Sequence, residues 1–470
     1  MLWAAFLLYD YVNQMGIRRV CFFGIPVTVR IWLTMAIAVA AIPLINLKLW
    51  AAAKKLYQRQ IENSPSNGGK LNNTTNARSW LFDSRTATIL TALIFGLLCW
   101  IFRDHNWFPG DQDYWCMYIQ ENFSFHIRQP IATYYNHLGF LATKKIFDND
   151  PRSSIAFASC LLAIPFFYLS TQLVKELATE RIRRWLLLLF LLSSGAIELY
   201  FGHIESYTAF TTALLLYSLV AIRFLRGQGN LFLCALTYGM MCAVHLMGLF
   251  LGWSILFLVI YAMRNWSLKE LFRKGAVGLT GALIPLLATV GLMVAHMLFY
   301  KYGLQLETML KLAHFDPSNI STSLGGADSA MFKPEDYSGS IVSYWFSWQH
   351  FQEMIRFHLL LTPFSVFIIP LSLVATPLLS KKYPDERGVL WFLLIFNLSY
   401  LQLTFLCKPD SGWYGDWSLF AGIGFTLNLM GGMFFLKLKQ APNIVQWAGS
   451  IAIAVSMVRT VTWIITNHSM

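Results

Sequence analysis

The chain has 470 residues, of which 56% are hydrophobic and only 13% are charged. This balance excludes an ordinary soluble domain and is typical of a polytopic membrane protein. The formal net charge is +12, but the basic residues flank apolar runs and do not cluster with exposed aromatic residues, so we expect no nucleic-acid partner. Seven cysteines without paired spacing lie mainly in apolar runs, which predicts small buried side chains and neither disulfides nor a metal site.

Apolar runs recur along the chain at lengths that suit membrane crossings, since a helix needs roughly 20 apolar residues, with about 17 as a lower limit. The run from Asn230 to Met263 has basic residues on both flanks and predicts a hairpin of two helices that turns near His245–Gly248. Residues 1–85 are interpreted as a membrane-associated extension with a cytoplasmic linker, and residues 86–470 as the transmembrane domain. The sequence predicts an all-α protein with about twelve transmembrane helices, at 31–47, 86–102, 153–174, 185–201, 206–222, 230–263 (a pair), 275–300, 359–380, 388–407, 417–436 and 441–458.

The distribution of Lys and Arg orients these helices. One set of alternate loops carries 21 Lys and Arg residues and the other set only 8, although the second set is longer in total. Because cytoplasmic loops are enriched in Lys and Arg, the second set is predicted to lie on the outer side. It includes the two long loops 104–152 and 301–354. The cytoplasmic loops hold no Gly-rich phosphate-binding loop, so ATP-driven work is not expected, and the topology of residues 1–53 stays open.

The first long outer loop contains an acidic turn, FPGDQDYW, with Asp111 and Asp113. Pro130 then introduces IATYYNHLGFLATKKIF, in which apolar residues recur at helical spacing and predict a helix lying in the membrane plane. A carboxylate above such a helix could take a proton from an acceptor hydroxyl while a lipid-borne donor enters sideways. In the alternative interpretation, Asp111 caps the following helix and Asp113 is a solvated loop charge.

The segment ELYFGHIESY places His203 and Glu205 between two predicted crossings, where ionisable groups are costly and usually have a function. Alternatively, the two side chains form a His–Glu pair that satisfies helix ends at the interface. His245 lies at the tip of the predicted hairpin, on the same outer side. It is either a substrate ligand or a core histidine packed among Met and Leu residues.

The segment KPDSGWYGDW, residues 408–417, directly precedes a predicted crossing. Its Lys408, Asp410 and Asp416 lie beside aromatic residues and could bind a phosphate and a sugar ring, while the aromatic residues could equally be interface anchors. Arg128, before the predicted in-plane helix, is a second candidate for a lipid phosphate. In loop 301–354, a polar Gly-rich stretch and an aromatic helix at 341–354 suit a lid over a lipid-linked substrate, with a plain linker as the alternative.

Several of these motifs resemble the GT-C superfamily, polytopic glycosyltransferases that use polyprenyl-phosphate sugar donors and include the protein O-mannosyltransferases and the aminoarabinose transferase of lipid A. PGDQDYW resembles their acidic first outer loop, and IRQPIATYYNHLGF resembles the juxtamembrane helix that follows it. YFGHIESY and GDWSLFAGIGF resemble segments of bacterial members. The resemblance covers roughly residues 86–436 through short motifs. The mannosyltransferase acids are adjacent, whereas Gln112 separates them here, and Gln129-Pro130 replaces a His-Pro element.

The resemblance implies a GT-C-like fold with juxtamembrane helices on its outer face, in the inner membrane of a bacterium. It implies transfer of a sugar, with inversion, from a polyprenyl phosphate to a hydroxyl of a lipid, glycan or protein. Asp111 is then the expected base and Asp113 its rival, while Arg128, Lys408 and His203 offer positive charge to the leaving phosphate. No cofactor is required, and the D-x-D leaves a divalent cation as an option. The remaining candidate substrate contacts are Glu205, His245, Asp410 and Asp416.

Two alternative functions come from other classes. A secondary transporter would also bring ionisable residues to one cavity, but it should show internal repeats and broken helices near the membrane midplane, which the sequence does not display. A non-catalytic lipid-binding or assembly subunit with a degenerate GT-C fold is the second alternative. Under the main hypothesis the partners are a lipid-linked sugar donor, membrane lipids and a hydroxyl acceptor.

Overall fold

A computed structural model of the chain describes residues 21–22, 25–26, 80–105, 112–121, 124–126, 128–264, 268–299, 340–407, 417–437 and 442–469. Two short strands, β1 (Cys21–Phe22) and β2 (Ile25–Pro26), form an antiparallel pair. The rest of the regular structure in these residues is helical, which confirms the predicted all-α class for this part of the chain.

The α-helices of the described residues are, in chain order, α1 (Trp80–Asp83), α2 (Arg85–Ile101), α3 (Gln112–Gln120), α4 (Pro130–Thr143), α5 (Pro151–Leu177), α6 (Arg181–Leu192), α7 (Tyr207–Leu225), α8 (Leu231–Val244), α9 (Gly252–Met263), α10 (Leu268–Phe299), α11 (Ile341–Trp345), α12 (Trp348–Leu361), α13 (Ser365–Lys382), α14 (Arg387–Leu406), α15 (Gly422–Lys437) and α16 (Pro442–Ser469). Short 3₁₀ helices lie at Gly195–Tyr200, Leu246–Leu251, Pro384–Glu386 and Trp417–Phe420.

Six helical segments in this part of the chain are long and apolar enough to cross a bilayer, and they identify an integral membrane protein. They are Pro151–Leu177, Tyr207–Leu225, Leu246–Met263, Arg273–Ala295, Pro384–Leu406 and Trp417–Lys437. Three shorter apolar helices lie at Arg85–Ile101, Leu231–Val244 and Ala452–Ile465. The predicted crossing at 31–47 lies outside the described residues.

The structure agrees with some predicted boundaries and differs at others. The predicted hairpin is present, because α8 ends at Val244 and a 3₁₀ helix follows from Leu246. The predicted crossing 185–201 is wrong as a single helix, because α6 ends at Leu192, where Ser193 and Ser194 interrupt the apolar run. The predicted helix at 341–354 is divided into α11 and α12, since Ser347 caps the second helix by accepting the backbone N–H of His350.

The core of the bundle is built around α7 and α15. Within the apolar windows of these two helices, 78% and 83% of the residues are buried, against 11% in α10. The core contains large side chains of both helices and of α14, among them Phe210, Phe425 and Phe396. Six of the seven cysteines, at positions 99, 116, 160, 234, 242 and 407, are free and buried, as their apolar sequence context predicts.

The loops between helices gather at two ends of this bundle. At one end, the backbone N–H of Asp104 donates to the carbonyl oxygen of Phe201 at 2.6 Å, and the N–H of His105 donates to that of Asn467 at 3.2 Å. The side chain of Trp417 also stacks at this end, which we call the polar-loop end. At the other end, Arg223 at the end of α7 pairs with Glu176, Arg184 with Asp83, and Lys437 with Glu386. The described parts of the predicted outer loops therefore share one end, and the basic loops share the other.

Helices α8 and α10 approach each other through glycine. A Cβ atom at Gly239 would overlap the backbone carbonyl of Ala282, and a Cβ atom at Gly281 would lie 2.9 Å from the carbonyl oxygen of Phe232. Backbones of membrane helices come this close only where side chains are small. Because α10 is otherwise largely exposed, this contact is its main attachment to the described bundle.

We expect Gly239→Ala to lower the free energy of unfolding by about 1–3 kcal/mol, because the added methyl group overpacks a backbone contact. Gly291→Ala on α10 is the matched control, since no atom lies within 4 Å of its Cβ position. Thermal unfolding in detergent can be followed with a thiol-reactive dye, because the described cysteines are buried until the bundle opens. Equal melting temperatures for the two variants would contradict the close contact.

Candidate functional site

The candidate site is organised by the segment 201–206, which connects the 3₁₀ helix Gly195–Tyr200 to α7 and which we call the buried link. Every residue in it is buried. Gly202 has φ +80°, a left-handed conformation that favours glycine, and a Cβ atom there would lie 2.9 Å from the Cβ atom of Arg103. The turn therefore needs a glycine both for its backbone angle and for its approach to the end of α2.

The His203 side chain faces the end of α2 and the start of α15. Its Nδ1 atom lies 3.9 Å from Oδ2 of Asp104, and each of the two side chains is 4% exposed. Its ring packs on Trp417 with ring centroids 4.9 Å apart. Ser159 of α5 donates to the carbonyl oxygen of His203 at 2.9 Å, which fixes the backbone of the link.

Glu205 has different neighbours. Its Oε2 atom accepts a hydrogen bond from the indole N–H of Trp115 in α3 at 3.1 Å, and its backbone carbonyl lies 3.5 Å from Nδ2 of Asn136 in α4. The next residue, Ser206, donates to Gln129 Oε1. The link thus joins α3 and α4 to the bundle. His203 and Glu205 bind different partners, so the alternative of a simple His–Glu pair is wrong.

A third ionisable residue, Glu198, lies just before the link. It is 1% exposed, and its Oε1 atom accepts a hydrogen bond from Nδ2 of Asn467 at 2.8 Å. Burial, with a further contribution from the Asp104 carboxyl, raises the pKa of Glu198 to about 8. Sequence reasoning missed Asp104, Glu198 and Asn467 as site residues. Glu198 did carry a signal, since it interrupts an otherwise apolar run.

The helix predicted after the acidic turn is present as α4, slightly shorter than its sequence pattern. Its buried face includes Asn136 and His137 and packs on the bundle. Leu138 and Leu141 are 45% and 41% exposed on the opposite side. The helix therefore turns its polar residues toward the protein and leaves an apolar side uncovered by the described residues.

His245 behaves as a packed residue. Its Nδ1 atom accepts the backbone N–H of Met247 at 3.0 Å, and its ring lies against Tyr207 with centroids 5.2 Å apart. Burial lowers the pKa of His245 to about 3, with smaller contributions from His126 and Arg128, so the ring is neutral. This favours the core-histidine interpretation over a cationic phosphate ligand.

Arg128 lies beside this hairpin and is half-buried. Its backbone carbonyl accepts the N–H of Leu246 at 2.8 Å, which ties the segment before α4 to the 3₁₀ helix of the hairpin. The guanidinium group of Arg128 also acts electrostatically on His245, so its positive charge lies near the tip of the hairpin. Of the residues predicted to bind a lipid phosphate, Arg128 is therefore the cation that the described structure places near the site.

The acidic turn is described only from its second half. Gln112, which begins α3, is buried, whereas the Asp113 side chain is 80% exposed and pairs with Arg152 at 2.6 Å. Within the part of the chain that the structure describes, no group of three or more His, Cys, Asp or Glu side chains is arranged to hold a metal ion. Four predicted site residues lie outside the described residues: Asp111, Lys408, Asp410 and Asp416.

No protein-family model, curated protein or solved structure matches this chain. An assignment of function therefore depends on the chemistry of the residues at the polar-loop end and on their geometry.

Proposed function

We propose that the chain is an integral-membrane glycosyltransferase of the GT-C type, which moves a sugar from a polyprenyl phosphate to a hydroxyl acceptor on the outer face of the membrane. The observation that carries the proposal is the junction at Glu205. Glu205 contacts Trp115 of α3, the helix at the acidic turn, and Asn136 of α4, the helix with the uncovered apolar side. Both helices are therefore attached to the buried link. An acid and a lipid-facing surface are the two elements that such a reaction needs.

Asp111 is the proposed base. It directly precedes Gln112, whose side chain is buried, and Trp115 lies one helical turn later, bonded to Glu205. These contacts hold the start of α3 against the link. Asp113 is turned outward and already paired with Arg152, which supports Asp111 over its rival.

The donor is proposed to enter over α4. Its exposed Leu138 and Leu141 suit contact with a prenyl chain, and Arg128 before the helix suits the phosphate. The acceptor hydroxyl loses its proton to Asp111 and attacks the anomeric carbon, the bond to the phosphate oxygen breaks, and the configuration inverts. Polyprenyl phosphate leaves as an anion, so the site has to supply positive charge and needs no strong acid.

The full architecture that we propose has about twelve crossings, with the polar-loop end on the outer side. The charge pairs at the opposite end, together with the basic loops, support a cytoplasmic location for that end. A bacterial inner membrane is the proposed location, because polyprenyl-phosphate sugars are presented at its outer leaflet in the enzymes that the chain resembles.

Asp111→Asn should reduce sugar transfer by about 10²–10⁴-fold, the usual contribution of a general base. Purified protein in lipid vesicles would be incubated with a panel of polyprenyl-phosphate monosaccharides and a hydroxyl acceptor mixture, and release of polyprenyl phosphate would be measured. Asp148→Asn is the matched control, because Asp148 lies exposed in the same outer loop and its positive φ of 50° is one that Asn accepts.

Transfer by the native chain with full activity in Asp111→Asn would contradict the role of Asp111. Loss of activity in Asp113→Asn alone would transfer the role to that residue. No release of polyprenyl phosphate from any donor by the native chain would reject the proposed reaction as a whole.

The two ends of the bundle should differ in access to a membrane-impermeant maleimide. We expect Asp113→Cys to react in intact cells and Glu180→Cys to react only after the membrane is opened, because both positions are exposed but lie at opposite ends. The native chain is the control for labelling of its own cysteines, six of which are buried. Labelling of Glu180→Cys alone in intact cells would reverse the proposed orientation.

A further inference from the structure

Two buried carboxyl groups lie next to the buried link and act on each other electrostatically, and the proposed sugar transfer does not use them. Asp104 follows the end of α2, and Glu198 lies in the 3₁₀ helix before the link. Their side chains are 4% and 1% exposed. Both residues lie at the polar-loop end and outside the helical segments that are long and apolar enough to cross a bilayer.

The surroundings of Glu198 disfavour its ionised form. Its Oε1 atom accepts from Asn467, but its Oε2 atom is buried and has no hydrogen-bond partner in the described part of the chain. An ionised carboxylate in such a place is strongly disfavoured unless several donors surround it. The nearby Asp104 carboxyl disfavours a second negative charge further.

Asp104 also neighbours a group that can accept a proton. The Nδ1 atom of His203 lies 3.9 Å from Asp104 Oδ2, is buried, and has no hydrogen-bond partner among the described residues. Asp104 is therefore the common neighbour of Glu198 and His203. A small shift of either side chain brings the Asp104 oxygen into hydrogen-bond distance of the ring.

We propose that Asp104, Glu198 and His203 form a buried proton-exchange site at the polar-loop end. The O–H bond of Glu198 breaks, a carboxylate oxygen of Asp104 takes the proton, and the proton then forms an N–H bond at Nδ1 of His203. Glu198 is left as a carboxylate, Asp104 returns to its carboxylate form, and His203 becomes cationic, so that its positive charge offsets the negative charge that Glu198 gained. The site would supply or take up one proton next to the reacting groups, and it does not require that the reaction be sugar transfer.

The groups around this site belong to several elements. The exposed edge is formed by His105 and His468, whose ring centroids are 5.1 Å apart, and His468 Nδ1 lies 3.1 Å from the carbonyl oxygen of Arg103. Cys99 in α2 interacts electrostatically with Glu198, and His105 interacts with Asp104, while Arg103 and His468 at the end of α16 act on His105. The edge residues offer a route between the buried pair and solvent.

The test is infrared absorption of protonated carboxyl groups in the purified full chain, recorded as the pH is raised. The native chain should show a protonated carboxyl band at neutral pH that disappears as the pH passes about 8. Glu198→Gln should lack this band, and its amide keeps an oxygen that can accept from Asn467. Glu180→Gln, at a 60% exposed position, should keep the band.

Two further variants test the other members. Asp104→Asn should move the midpoint of the band to lower pH, because the neighbouring negative charge is gone. His203→Gln should slow the exchange of the band into its deuterated form severalfold.

A band that persists in Glu198→Gln, or a midpoint that Asp104→Asn leaves unchanged, would overturn the carboxyl pair. Exchange at the native rate in His203→Gln would overturn the transfer to His203. If Glu198→Gln fails to fold, the midpoint of Asp104→Asn still decides.

Discussion

The polar-loop end depends on one constraint: carboxyl and imidazole groups that lie at the ends of apolar helices, away from water, have to find partners within the protein. A bilayer offers none, and each unsatisfied group costs several kcal/mol. In this chain the buried link 201–206 meets that demand with a hydrogen bond at Glu205 and with a nearby charged neighbour at His203. Its His203 faces Asp104 and Trp417, and its Glu205 receives the indole N–H of Trp115. The helices that provide these partners are distant in sequence, so satisfying the link assembles the end of the bundle.

The helical class and several of the membrane-spanning segments could be predicted from the hydrophobic pattern, because runs near 20 apolar residues have few structures open to them in a membrane. The hairpin at His245 could be predicted from the length of the apolar run 230–263 and the basic residues on both of its flanks. The burial of the cysteines could be predicted from their apolar sequence context. The break after Leu192 was not predicted, because an apolar run looks the same whether it continues as one helix or ends in a tight 3₁₀ turn. Only Glu198 and two serines distinguished the two cases.

The site could be predicted in its positions but not in its pairings. The sequence identifies His203 and Glu205 as ionisable groups at a membrane boundary, which the structure places in one buried link. It could not show that they face apart, since partners such as Trp115 and Asp104 lie about a hundred residues away and contacts at that separation leave no local pattern. Nor could it separate a packed histidine from a ligand at position 245. The tertiary contacts with Tyr207 and Met247 make that distinction.

The two sides of the link also divide the chemistry. On the Glu205 side lie Arg128 and the uncovered apolar side of α4, which suit an anion carried on a lipid. His245 is neutral there, so Arg128 is the positively charged side chain on that side that the proposed sugar transfer would use. On the His203 side lie two carboxyls and an imidazole beside two indoles in edge-to-face contact, the groups of the proposed proton-exchange site. A single short turn built on Gly202 thus separates a region suited to a phosphate from a region suited to a proton, and keeps both within one buried segment of the chain.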